Sequence, residues 1–284
     1  MTWFRQLIER ITFFYHISWR VQSLYGLLAK MQRDEVLGKE KERDPRTLTA
    51  YGYTAYSQAD EDGMIGELFG RIGVTDRTFV EFGSGDGLEN NTVYLLLTGW
   101  SGLWLDGDPA NIRTITREFA PYLESRQLQL TQAFITQSNI NSLLDGAGFK
   151  GEIDLLSIDI DGNDYWMWEA LTAVNPRAVI VEYNATFRPP HKVVQPYGDG
   201  YRWNSSNYFG ASLKALEELG TKKGYCLVGC SFAGTNAFFV RQDLALDLFS
   251  TPFTAEHHYR EPQYDAFVRG AMRHRRGVGK YHVL

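Results

Sequence analysis

The stretch from Thr78 to Thr92 reads TFVEFGSGDGLENNT. Apolar β-formers Phe79, Val80 and Phe82 run into a turn that carries Gly83, Gly85 and Gly87 at alternate positions. Glycine admits a left-handed backbone and removes the Cβ that would hold an approaching group away. A tight turn with nothing bound needs one glycine. Three leave an open loop between a strand over 79–82 and a helix expected over 91–99, the layout of a cofactor seat. The spacing is GxGxG, whereas a dinucleotide pyrophosphate is marked by GxGxxG. Glu81 stands two residues before the first glycine, where its charge opposes a pyrophosphate and suits a cationic amine on the ligand.

Downstream of this turn, strand-like and helix-like segments alternate. Strands are expected over 102–105, 128–134, 153–158 and 178–182, with a helix over 111–125. This rhythm predicts a mostly parallel, doubly wound α/β sheet covered by helices on both faces. Such sheets bind ligands beyond the carboxyl ends of their strands, where strand order reverses. After the fifth strand a helix over 212–219 precedes two strands, 225–230 and 236–241, separated by SFAGT, which suggests a hairpin. The second strand ends in LWLDGDP, and the carboxylate of Asp106 there can accept hydrogen bonds from both hydroxyls of a ribose. Together Glu81 and Asp106 describe a nucleoside that carries a cation and little negative charge.

The ordered set YSQADEDGMI, VEFGSGDGLENNT, GLWLDGDPAN, LLSIDIDGNDYW and VIVEYN resembles class I S-adenosylmethionine-dependent methyltransferases of the FkbM type, over roughly residues 56–241. The resemblance implies a Rossmann-like seven-stranded sheet, mostly parallel, with an antiparallel closing hairpin. It implies S-adenosyl-L-methionine as cofactor and a hydroxyl of a sugar or natural product as acceptor. Carried onto this chain, Gly83, Ser84 and Gly85 approach the methionine part, Glu81 fixes its amino group and Asp106 holds the ribose. Asp159 is counted with the cofactor contacts. Asp108 lies near the adenine or caps the next helix, and Phe134 packs on the adenine or in the core. SIDIDG stands where the broader family has a Lys-Ile-Asp-Val-Glu-Gly pattern, which leaves acceptor and metal use open.

Transfer to an alcohol needs a base as well as alignment. One candidate constellation is the acid cluster Asp159, Asp161 and Asp164 with Glu182 and Asn184. If the strand persists, Asp159 and Asp161 point the same way, and the adjacent strand brings Glu182 beside them. Asp161, Glu182 and Asn184 form a candidate Mg²⁺ site, since hard oxygen ligands from two strand ends suit that ion; the alternative is direct hydrogen bonding to the acceptor. The other candidate base is His191, on the loop NATFRPPHKVVQPYGDGYRW after the fifth strand, within reach of the acceptor. Tyr197, Tyr201, Trp203 and Tyr208, beside Asn204 and Asn207, suit the face of a sugar or a lid packed by its own side chains. Of Tyr165, Trp166 and Trp168, at least one is expected in the core.

The rest of the chain bounds this reading. The 284 residues, 44% hydrophobic and 22% charged, fit one α/β domain with extensions. A net charge of −5 gives no case for nucleic acid as partner, and only the tail 269–280 is locally basic. Cys226 and Cys230 lack metal-ligand partners and read as reduced residues sharing one strand face in a cytoplasmic protein. Residues 1–50 are expected to be an amphipathic helix and linker ahead of a catalytic domain over 51–284. Phe4, Leu7, Ile11, Phe14, Ile17, Val21, Leu24 and Leu28 form a helical stripe. Arg5, Glu9, Arg10, Arg20 and Lys30 interrupt it too often for a bilayer span. The stripe is expected to pack on its own domain or on a second subunit; a peripheral membrane contact is the alternative. LGKEKERDPR, over 37–46, reads as a solvated linker. Two rival functions stay open here: an NAD-dependent oxidoreductase, and a non-catalytic methyltransferase-like binding protein.

Overall fold

The computed structural model describes residues 2–263 and 282–283, with backbone alone for 2–9, 11, 22 and 283. Helix α1 (Thr2–Arg43) and a 3-10 turn (Leu48–Tyr51) precede α2 (Glu61–Ile72). The alternating region follows as β1 (Thr78–Phe82), α3 (Val93–Leu97), β2 (Ser101–Asp106), α4 (Pro109–Glu118), α5 (Ala120–Glu124), β3 (Leu128–Gln132) and α6 (Ile140–Gly146). It continues through β4 (Gly151–Ile158), α7 (Asp164–Ala170) and β5 (Val174–Glu182). The last third holds β6 (Val193–Val194), α8 (Leu213–Lys222), β7 (Tyr225–Cys230), β8 (Asn236–Arg241), α9 (Gln242–Ala245), α10 (Ala255–His258) and β9 (His282–Val283).

Seven strands form one Rossmann-like sheet in the order β3-β2-β1-β4-β5-β8-β7. The first five are parallel, and β8 joins β5 antiparallel, with β7 at the edge. This is the expected doubly wound sheet with its closing hairpin. Side chains alternate between two cores, as a strand buried on both faces requires. Val80, Phe82, Leu103, Leu105, Leu156 and Ile158 enter the core under α6, α7 and α8. Phe79, Trp104, Leu155, Ala178 and Ile180 enter the opposite one, under α2, α3 and α4. The strand order reverses between β1 and β4, so the carboxyl ends of these two strands open the crevice.

Several local expectations are corrected. The helix expected over 111–125 breaks into α4 and α5 at Phe119, where Pro121 supplies no amide to carry the ladder on. The two cysteines face opposite cores, because a bulge between Leu227 and Gly229 shifts the phase of β7. Cys230 lies in the first core and Cys226 packs against the second. Tyr165 and Trp168 are both buried. The short antiparallel pair of β6 and β9 has no signal in the sequence pattern.

The supposed linker over 37–46 is helical as far as Arg43, held by an i,i+4 pair in which Lys39 donates to Glu35 at 2.6 Å. Arg260 clamps it with two bonds of 2.6 Å to Glu40. Domain packing therefore starts before residue 51: Leu37 and Leu48 are buried, and the Thr49 hydroxyl donates to the Cys230 carbonyl at 2.8 Å. A chain beginning at Tyr51 is expected to lose about 2 kcal/mol or more with Leu48 alone. One beginning at Leu28 should melt within about 2 °C of the full chain, since the deleted side chains that are described are exposed. Equal melting of both truncations would refute this boundary. The stripe positions Phe4, Leu7 and Ile11 and the basic tail 269–280 lie outside the described side chains. Phe14, Ile17, Val21, Leu24 and Leu28 are exposed, which excludes the expected packing on their own domain.

Candidate functional site

The three glycines have three different tasks. Gly83 has φ +74, and a Cβ there would sit 1.7 Å from the Asp159 carbonyl oxygen, so the turn after β1 can pass the end of β4 only as glycine. Gly85, at φ +57, would point a Cβ into open space within the crevice. Gly87 packs against Trp104 and Phe119. The turn does not lead directly into a helix: α3 starts only at Val93.

Glu81 explains the delay. Its carboxylate accepts the Asn91 amide at 3.0 Å, the Thr92 amide at 3.3 Å and the Thr92 hydroxyl at 2.5 Å, and Trp104 Nε1 donates to that hydroxyl at 2.7 Å. The acid expected to fix the ligand's amino group also caps the amides that lead into α3. It still borders the crevice and, at 1% exposure, is pushed up to about 7 by burial. Asp106, 7% exposed, closes the other side of the loop. Its Oδ2 accepts the Gly85 amide at 2.9 Å, and its Oδ1 accepts the Asp108 amide at 2.7 Å and Asn111 Nδ2 at 3.1 Å. Oδ2 thus keeps a lone pair for a ligand hydroxyl. Asp108 is a helix cap, accepting the Ala110 amide at 2.7 Å. Phe134 lies beyond β3, 42% exposed, and lines the crevice rather than the core.

Two adjoining cavities share Gln58, Gly83, Gly85 and Asp159. The smaller, about 160 Å³, is lined by Glu81, Ser84, Asn90, Asn91 and Asn236. Ser84 Oγ, Asn90 Nδ2 and Asn236 Oδ1 are buried without a hydrogen-bond partner among the described residues. Orphaned buried polar atoms of both kinds are costly unless a ligand meets them. The larger, about 520 Å³, is bordered by Asp106, Asn111, Phe134, Asp161, Tyr201 and Trp203.

Gln58 lines the smaller cavity from the segment 57–62, which the quoted motif covers. Asp62 Oδ2 gathers the amides of Ala55, Tyr56 and Ser57 at 2.7–2.8 Å. Asp60 accepts the Phe232 amide at 3.0 Å, and Glu61 accepts Asn236 Nδ2 at 3.0 Å. Three consecutive buried acids thereby fix Gln58 and Asn236 at the crevice. A run of acids at a helix start reads in sequence as ordinary capping, so these two residues were not singled out.

The acid cluster assembles differently from the expectation. Strand β4 ends at Ile158, and Asp161 sits in a left-handed turn at φ +58. Asp164 holds that turn from beneath, accepting the Ile160 and Gly162 amides at 2.8 Å each. Ile158 pairs with Val181, which sets Asp159 beside Glu182. One carboxylate oxygen from each of Asp159, Asp161 and Glu182 lies within 4.8 Å of the others. Asp159 is raised well above the carboxylate range by burial first and then by the charges of Asp161 and Asp164, and Glu182 likewise by burial first and then by Asp159 and Asp164. Asp161, open to solvent on one side, is raised by partial burial and then by Asp106. Asp164 is pushed to about 6, mainly by burial.

Asn184 does not join the cluster. Its Nδ2 donates to the Asn207 and Phe209 carbonyls at 2.9 Å each and its Oδ1 accepts the Thr186 amide at 3.1 Å, so the side chain ties the loop instead. Asp159 takes its place among the three oxygen donors. His191 is also misplaced: it is exposed in the turn before β6 and lines neither cavity. The aromatic loop is a wall packed by its own groups. Tyr201 Oη donates to the Tyr208 carbonyl at 2.8 Å, and Trp203 Nε1 donates to the Ser206 carbonyl at 2.6 Å. Arg202 covers the Phe134 ring at 5.5 Å.

No family model matches the chain, and no curated protein matches it. Solved structures do align with it. An S-adenosylmethionine-dependent methyltransferase from Clostridium acetobutylicum is 10% identical, covers 62% of this chain and 89% of its own, and superposes with a TM-score of 0.39. An O-methyltransferase from Bacillus cereus in complex with SAH is 14% identical over 54% of this chain and 67% of its own, at 0.36. The methyltransferase domain of bacterial CtHen1 is 14% identical over 64% and 97%, at 0.41. Similarity this distant decides nothing about chemistry, which rests on the residues above.

Proposed function

We propose that the chain is an S-adenosylmethionine-dependent O-methyltransferase acting on a hydroxyl of a carbohydrate or glycosylated small molecule. The observation that carries the proposal is the division of the crevice at Gly83–Gly85. On one side Glu81 and Asn236 Oδ1 offer acceptors to an ammonium while Ser84 and Asn90 offer donors to a carboxylate. On the other, Asp106 faces a volume suited to a nucleoside beside Phe134. The residues fit an amino acid joined to a nucleoside without phosphate. A pyrophosphate would meet Glu81 and Asp159, which weighs against NAD.

The bound cofactor supplies an activated methyl group on a sulfonium. Asp161, at the mouth of the crevice, would take the proton that the acceptor hydroxyl gives up when the hydroxyl oxygen receives that methyl group. Its raised pKa brings a carboxylate closer to the basicity this step needs. Tyr201 and Trp203 border the acceptor side, where aromatic faces suit a sugar ring and shield it from water.

Calorimetry with S-adenosylhomocysteine is expected to give micromolar binding and with NAD none. The pH dependence tests the role of Glu81. A ligand ammonium favours the ionised acid, whose pKa in the free protein is about 7. Binding at pH 6 must first remove that proton and should be about tenfold weaker than at pH 8. Saturable NAD binding without any response to S-adenosylhomocysteine would overturn the proposal. A flat pH profile would take Glu81 away from the ammonium.

A further inference from the structure

Helix α1 is about 63 Å long at 1.5 Å per residue, and among its described side chains burial begins at Ala29. Ala29 and Leu37 are its buried apolar residues, and Glu40 is clamped by Arg260. Ahead of Ala29, Phe14, Ile17, Val21, Leu24 and Leu28 follow one another at steps of three and four, so they share one face of the helix, continued by Met31. All six are exposed, Phe14 at 68%. Tyr25, with an amphipathic ring, is exposed at the edge of this face.

Charge decides what covers this face. From Arg10 to Arg33 the chain contains no aspartate or glutamate, and Arg10, Arg20 and Lys30 are exposed, in a protein whose net charge is −5. A second copy paired in parallel along residues 10–33 would bring cations against cations with no acid from that segment in either partner. Paired helices are instead selected by opposite charges beside the seam. An anionic lipid surface supplies the missing charge, takes up the apolar face at its acyl boundary and holds aromatic rings at headgroup depth. No helix among the described residues is long and apolar enough to cross a membrane, and the three cations interrupt α1 at ten-residue intervals. We infer that α1 lies in the plane of an anionic membrane surface and tethers the domain to it. This inference stands independently of the methyl-transfer reading.

The test is flotation of the full chain with vesicles of phosphatidylcholine alone or mixed with phosphatidylserine. Binding to the mixed vesicles is expected to exceed binding to phosphatidylcholine by about tenfold and to fall in high salt. Leu24→Glu combined with Leu28→Glu should abolish it, and Arg20→Glu combined with Lys30→Glu should lower it to the phosphatidylcholine level. These side chains are exposed, so both variants should melt with the parent chain and bind S-adenosylhomocysteine equally well. No flotation of the full chain would overturn the inference. So would a Leu24→Glu, Leu28→Glu variant that floats like the parent, or a dimer seen by light scattering that this variant dissociates while neither protein floats.

Discussion

Alanine in place of Asp161 is expected to slow methyl transfer by about a hundredfold or more, the scale of a positioned base, with S-adenosylhomocysteine affinity changed less than about threefold. The separation follows from where the groups sit. The acceptors and donors for the cofactor's amino-acid and nucleoside ends come from β1, β2, their loops and Asn236 at the start of β8, whereas Asp161 stands on the left-handed turn after β4 that Asp164 supports. Asp161→Asn keeps the shape, can no longer take a proton and should be as slow. Activity of the parent protein should fall as pH drops through the raised pKa of Asp161, above the ordinary carboxylate range. Treatment with a chelator separates two roles for the cluster. Loss of activity restored by Mg²⁺ would assign Asp159, Asp161 and Glu182 to an ion, and full activity would leave Asp161 as base alone. Normal turnover by Asp161→Ala would remove the cluster from the mechanism.

Gly83→Ala is expected to destabilise the fold by about 4–5 kcal/mol, the upper end for a point substitution, and to lower Tm by roughly 10 °C or more. The added methyl would lie 1.7 Å from the Asp159 carbonyl oxygen at a φ of +74. That carbonyl cannot retreat cheaply, because the Asp159 amide donates to Phe82 at 3.1 Å within the β1–β4 pairing. Gly85→Ala is the control. Its Cβ would meet nothing within 4 Å, so only the left-handed backbone at φ +57 resists it, a cost of about 1–2 kcal/mol. It should remain folded and lose affinity for S-adenosylhomocysteine, because the methyl enters the ligand's space. Thermal melts and calorimetry on the two variants check both statements. A Gly83→Ala protein with the parent Tm would show that the turn does not need a glycine there.

The contrast between these glycines shows how far a pattern can be read. Their number signalled an open loop, but which one touches β4, which faces the ligand and which packs on Trp104 depends on strands far apart in sequence. The same holds for the acids. Asp159, Asp161 and Asp164 look alike in SIDIDGND, yet one pairs with Glu182, one faces the crevice mouth and one holds the turn. His191 and Asn184 were attractive by residue type and position after β5. The turn before β6 carries His191 to the surface, and the carbonyls of Asn207 and Phe209 consume Asn184. A histidine or carboxamide in a loop carries no periodicity that would reveal its direction.

The sequence by itself determined the sheet and its rhythm. Apolar runs punctuated by glycine and proline specify strands whose faces must both be buried, and their alternation with helices specifies a mostly parallel sheet. It also determined that a carboxylate ends β2 and another precedes the glycine turn. Tertiary structure alone decided the polar detail of the site: the capping task of Glu81, the orphaned Ser84, Asn90 and Asn236, and the fixing of Gln58 through three buried acids. It also decided that Phe14, Ile17, Val21, Leu24 and Leu28 of the α1 stripe do not pack on the domain. Burial of apolar area acts over a whole helix or strand face and leaves a repeating mark, whereas a hydrogen bond joins two atoms in one geometry and is written only where the folded chain brings them together.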